Sequence, residues 1–99
     1  MNVQIQAVHF DADQKLLDHV RRKLEKLSTF HDRIVNVEVS LVLENVSEKI
    51  KNKVAQIKIT IPKSSLFSKH ESKTFEESFE FAFDSMVAQL KKSKEKLIA

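Results

Sequence analysis

Apolar and polar side chains alternate from the start of the chain: Val3, Ile5 and Ala7 against Asn2, Gln4 and Gln6. A period of two suits a half-buried strand, whose successive side chains point to opposite faces, and it predicts a strand over 2–8. The period then lengthens. Leu16, Leu17, Val20, Leu24 and Leu27 recur three or four residues apart, one stripe of a helix. Asp13 stands where a side-chain oxygen caps the first turn, so a helix over 14–29 is predicted. Alternation returns over 34–45, with Val35, Val37, Val39, Leu41 and Leu43 against Asn36, Glu38, Ser40 and Glu44. It recurs over 53–61, with Ile57, Ile59 and Ile61 against Gln56, Lys58 and Thr60. The polar stretch 46–52 reads as a hairpin connection between these two strands. Pro62 ends the second of them because it cannot donate to the ladder. Residues 66–72 read as a short, weakly patterned fourth strand.

Thr74-Phe75-Glu76-Glu77 is a capping box, in which the threonine hydroxyl and Glu77 satisfy each other's backbone amides. The helix it opens runs to about residue 97, with Phe75, Phe79, Ala82, Phe83, Met86, Leu90 and Leu97 as its stripe. Acids fill its first half and lysines its last turns, which suits the helix dipole. The order is βαβββα and each main strand has one apolar face. The expected fold is an α+β two-layer sandwich: one four-stranded sheet with both helices packed on one face and the other face polar and open.

At 99 residues the chain is expected to form one domain over 1–99. Cysteine is absent, which excludes disulfides, Cys-zinc sites and thiol nucleophiles; glycine is absent too, which excludes phosphate-cradling glycine loops. No apolar run approaches the roughly 20 residues of a membrane span, and the N-terminus lacks a signal-peptide pattern, so no membrane partner and a cytoplasmic location are expected. His9, His19, His31 and His70 fall in no metal-ligand or nucleophile spacing, and the adjacent His31 and Asp32 form no such motif. They read as surface or rim histidines. No catalytic residue, metal, cofactor or small-molecule substrate is expected.

The net charge of +3 says little, but its distribution says more. Four of the six residues from Arg21 to Lys26 are basic. Glu71 to Asp84 holds five acids and one lysine, whereas Ser85 to Ala99 holds four lysines and one acid. At 100° per residue, Lys15, His19, Arg22, Lys23 and Lys26 share one flank of the first helix, opposite Asp18 and Glu25. On the second helix Ser85, Lys92 and Lys96 share one flank and Glu77, Glu80, Asp84 and Glu95 another, with Lys91 and Lys94 as further bases. Side by side on the sheet, the two basic flanks would meet in a groove able to take phosphates by counterion release. A solvated face of helical ion pairs is the competing reading of such sorting. The open sheet face, with Gln4, Gln6, Asn36, Glu38, Ser40, Gln56 and Lys58, is expected to carry no aromatic ring and to be a poor base-stacking platform. Six of the seven phenylalanines read as core or loop packing, and Phe81, opposite Phe79 and Phe83, as the exception.

Three stretches carry a resemblance: Lys23-Leu24-Glu25-Lys26-Leu27; Asp32-Arg33-Ile34 leading into Val35–Leu43; and Gln89-Leu90-Lys91-Lys92-Ser93-Lys94-Glu95-Lys96. In this order on βαβββα the chain resembles the ribosome hibernation-promoting factor and ribosome-associated inhibitor family over nearly its full length. The resemblance implies binding to the small ribosomal subunit and its rRNA, in the channel used by messenger and transfer RNA. It further implies reversible inhibition of translation in stationary or starved cells by a protein monomeric off the ribosome. It places RNA-binding residues at Lys23 and Lys26 and at Lys92, Lys94 and Lys96; Arg22 and Lys91 join them from the charge pattern. Ser85 and Ala88 stand where the family often has bases, and Pro62-Lys63-Ser64-Ser65 replaces its glycine-containing connection. The chain looks like the short form, without the C-terminal dimerisation domain of the long form. Two other classes stay open. One is a double-stranded-RNA-binding-domain-like general RNA-binding protein, against which the acidic start of the last helix counts; the other is a protein-interaction module using the open sheet face.

Overall fold

The computed structural model describes residues 1–45 and 51–98, with the side chains of all of these except Lys51 and 94–98. The elements are β1 (Asn2–Val8), α1 (Gln14–Glu25) continued by a 3-10 turn (Lys26–Thr29), β2 (Asn36–Asn45), β3 (Lys51–Ile61), β4 (Ser64–Ser72) and α2 (Phe75–Ile98). The strands form one sheet in the order β1-β2-β3-β4. β1 and β2 are parallel and joined by the α1 crossover; β2–β3 and β3–β4 are antiparallel. This is the expected βαβββα sandwich.

The alternating pattern sets the register. Val37, Val39 and Leu41 on β2 and Ala55, Ile57 and Ile59 on β3 are almost completely buried, and they meet Leu16, Val20 and Leu24 of α1 and Phe79, Ala82, Met86 and Leu90 of α2 in one core. Burying a Leu, Ile or Phe side chain contributes about 1.5–3 kcal/mol each, so these stripes hold both helices to the same face. Asp13 caps α1 as expected, its carboxylate accepting from the Leu16 N–H at 2.8 Å. The Thr74 hydroxyl accepts from the Glu77 N–H at 3.1 Å. The periodicity predicts one helix over 14–29, but its last turn is 3-10. There the Ser28 and Thr29 hydroxyls donate back to the Glu25 and Lys26 carbonyls, at 3.2 and 2.6 Å, a local competition with helical pairing.

The strand ends differ modestly from expectation. β2 begins at Asn36 rather than 34, and β3 takes in Lys51 and Asn52, which the pattern assigns to the connection; the rest of that connection, 46–50, lies outside the described residues. β4 begins at Ser64, so only Pro62 and Lys63 link it to β3. Lys63 has φ of 65°. A proline followed by a left-handed residue suits a two-residue turn, and lysine here occupies a position that glycine fills without strain.

Candidate nucleic-acid interface

α1 and α2 lie side by side and run in the same direction, as four contacts ascending α2 and, in step, α1 with the residues flanking it show. The Phe10 ring stacks on Phe75 with centroids 4.2 Å apart, and His19 meets Phe79 edge-on at 6.3 Å. The Lys23 ammonium sits 5.4 Å from the Phe83 centroid, and that of Lys91 sits 5.4 Å from the Phe30 centroid. The basic flank of α1 therefore does line the seam between the helices.

What it meets there overturns one expectation. Lys23 Nζ lies 3.2 Å from Glu80 Oε1, and His19 Nε2 lies 3.5 Å from the same oxygen. The flank of α2 that holds Ser85 and Lys92 turns the other way, toward β4. There Gln89 Nε2 donates to the Phe67 carbonyl at 2.9 Å, and the buried Ser68 hydroxyl donates to the Ala82 carbonyl at 2.8 Å. So the two basic flanks do not meet in one groove. The apolar stripe fixes the rotation of α2 about its axis, but sheet order and helix direction decide which flank faces a neighbour. With α2 over β3 and β4, its Glu80 side faces α1.

The seam is consequently graded in charge. Near the start of α2, Glu80 offsets Lys23. Both side chains are about a third exposed, at 36% and 30%, so the pair contributes only about 0.2–1 kcal/mol to stability. On either side of Lys23 along the helix, the other bases of this flank, Lys15, Arg22 and Lys26, are exposed and free of such pairs among the described residues. Lys91 is held over Phe30, just beyond the end of α1, by a cation–π contact of the kind that contributes about 0.5–1 kcal/mol. Of the bases expected to bind RNA, the structure thus brings Arg22, Lys26 and Lys91 to one side, ties up Lys23 and puts Lys92 on the opposite flank. The side chains of Lys94 and Lys96 lie outside those described.

The sheet face brings a second correction. Phe67 is 55% exposed, and its register partner on β3 is Lys58, so the ring lies on the open face. That face does carry an aromatic. Hydropathy favours the phenylalanine inside. Instead Leu66 and Ser68 point inward, and the short Ser68 side chain permits the close approach of β4 to α2 that its bond to Ala82 requires. Phe81 is 50% exposed, as its position on α2 suggests, with the His70 ring 6.0 Å away. His31 is not a surface residue: it is 2% exposed, and its Nδ1 accepts from the Arg33 N–H at 3.1 Å. That bond to Arg33, rather than any bond to Asp32, fixes the ring.

Residues 3–98 match the family model described as sigma 54 modulation protein / S30EA ribosomal protein. The chain belongs to that family. The resemblance read from its three matching stretches is thereby borne out. A curated relative from Pseudomonas putida, named ribosome hibernation promoting factor, is 29% identical over 96 residues, which is 97% of this chain and 89% of the relative. Among solved structures, a ribosomal subunit interface protein from Coxiella burnetii superposes with a TM-score of 0.84 at 19% identity, covering 96% of this chain and 99% of the other. The N-terminal domain of Thermus thermophilus Protein Y superposes with a TM-score of 0.79 at 22% identity, covering 93% and 98%. At these identities the two structures speak for the fold of this S30EA-family chain, which is the βαβββα sandwich described above.

Proposed function

We propose that this chain is a ribosome hibernation factor. It binds the small ribosomal subunit through rRNA in the channel used by messenger and transfer RNA, and it reversibly inhibits translation in stationary or starved cells. It acts in the cytoplasm, monomeric off the ribosome, and by occupancy rather than chemistry. Family membership and the name of the Pseudomonas relative support a ribosomal role. The observation that carries the mechanism is the exposed row Lys15, Arg22 and Lys26 on α1, continued by Lys91 on α2. Such a row neutralises phosphates and releases their counterions without reading sequence. The acidic start of α2 disfavours the duplex-RNA reading, because Glu80 already occupies a lysine of the neighbouring helix.

The test is equilibrium binding to purified small subunits across a salt series, beside inhibition of translation in a reconstituted system. Four neutralised phosphates at a slope of about −0.7 each give roughly a 50-fold loss of affinity between 50 and 200 mM salt. Arg22→Glu with Lys26→Glu should abolish most of the binding while leaving the fold intact, since both side chains are exposed. A flat salt response, or full inhibition by the folded double variant, would sink the reading.

A further inference from the structure

The open sheet face holds a group of side chains that the helix seam does not use. On β4, Phe67 and Lys69 project from this face two residues apart, about 7 Å along the strand. Lys58 stands directly across from Phe67 on β3, and Gln56 directly across from Lys69. Lys58 and Lys69 are both exposed. Cross-strand partners have Cβ atoms about 5 Å apart, so the lysine ammonium groups lie within reach of a ligand resting on the ring. Among the described residues no ion pair ties Lys58 to Glu38, its other register partner, or ties Lys69 to an acid.

An exposed phenylalanine on a β-strand costs hydration and contributes nothing to the core. Two unpaired cations beside it select for an anionic ligand with a flat apolar part. An unpaired nucleotide has both: a base with a π-face and a phosphate. The surroundings hold amides, Gln56 on β3 and Gln4 on β1, and two carboxylates, Glu38 across from Lys58 and Glu71 two residues beyond Lys69. A protein partner would need an apolar patch around the ring, and every register neighbour on this face near Phe67 is polar or charged.

We infer that Phe67, Lys58 and Lys69 form a second nucleic-acid contact on the open sheet face, in which an unpaired base stacks on the Phe67 ring while the lysines take the adjoining phosphates. This contact is separate from the helix seam and would let the protein touch RNA on both layers of the sandwich at once. Stacking on aromatic side chains tolerates any base, so the contact is indifferent to sequence.

The chain has no tryptophan or tyrosine, which makes a single reporter clean. Phe67→Trp should keep its affinity for an unstructured oligouridine RNA at about 50 mM salt, and its emission should be quenched as the RNA binds. A Phe81→Trp control, on the helix layer, should be unaffected. Phe67→Ala should weaken oligouridine binding about 5- to 150-fold. Phe67→Leu should lose most of the same affinity, because it keeps apolar area but no ring. Lys58→Gln with Lys69→Gln should flatten the salt dependence by about two phosphates. Emission of the Phe67→Trp variant that RNA leaves unquenched overturns the inference, as does Phe67→Ala or Phe67→Leu binding as tightly as the parent. So does a response of the Phe67→Trp variant to RNA-free ribosomal proteins without one to RNA, which would make the face a protein-docking surface. Failure here leaves the helix seam standing, because that reading is decided by small-subunit binding of the Arg22 and Lys26 variants.

Discussion

Replacing Glu80 by glutamine removes the carboxylate that meets Lys23 at 3.2 Å while keeping the size of the side chain. The seam geometry then makes two effects of opposite sign. Folding loses an ion pair whose partners are each about a third exposed, worth about 0.2–1 kcal/mol. In a domain of this size that lowers the melting temperature by at most about 4–8 °C. Polyanion binding gains, because Lys23 no longer has to leave Glu80 to reach a phosphate. The same interval of free energy, recovered on binding, is about a 1.4- to 5-fold increase in affinity. One more phosphate neutralised should steepen the salt slope by about 0.7, from about −2.8 to about −3.5. The assay is equilibrium binding to purified small subunits at three or more salt concentrations, with thermal unfolding of the same preparations. Tighter binding by a slightly less stable protein is the expected pair of results. If the folded variant binds no better than the parent at 50 mM salt, and its slope is unchanged, then Glu80 does not hold Lys23 away from RNA and the graded seam is the wrong picture.

The orientation of α2 predicts that Lys91→Glu weakens small-subunit binding more than Lys92→Glu, although the two change net charge equally, because only Lys91 faces the α1 side; equal losses at one fixed salt concentration would contradict it. Asp13→Ala should destabilise the fold by about 0.5–2 kcal/mol in denaturant titration, by removing the 2.8 Å cap on the first turn of α1, and a change below that range would mean the cap is idle. Lys63→Gly should raise stability by up to about 1 kcal/mol, since relief of a left-handed lysine outweighs the added freedom of the unfolded chain; a lower melting temperature would show that the turn bears no strain.

Much of the molecule was legible in the sequence because its determinants are local. Alternation over 2–8 and around Val37–Leu41, the three-and-four spacing from Leu16 to Leu27, and the Asp13 and Thr74 caps each fix an element through neighbours a few residues away. The apolar stripes also fixed which side of each helix is buried. They could not say what lies to the left or right of a buried stripe. That depends on sheet order and on the parallel run of α1 and α2, which set the Lys23 flank against Glu80 and turned Lys92 toward β4. The phase of β4 was hidden for a related reason. Hydropathy argues for a buried Phe67 and an exposed Ser68, but α2 approaches β4 so closely that its Ala82 carbonyl takes a bond from the serine hydroxyl. A small polar side chain with a backbone partner fits that space better than a ring. Long-range packing thus reversed a local preference at one strand and put an aromatic on the face for which the pattern of residues predicts none.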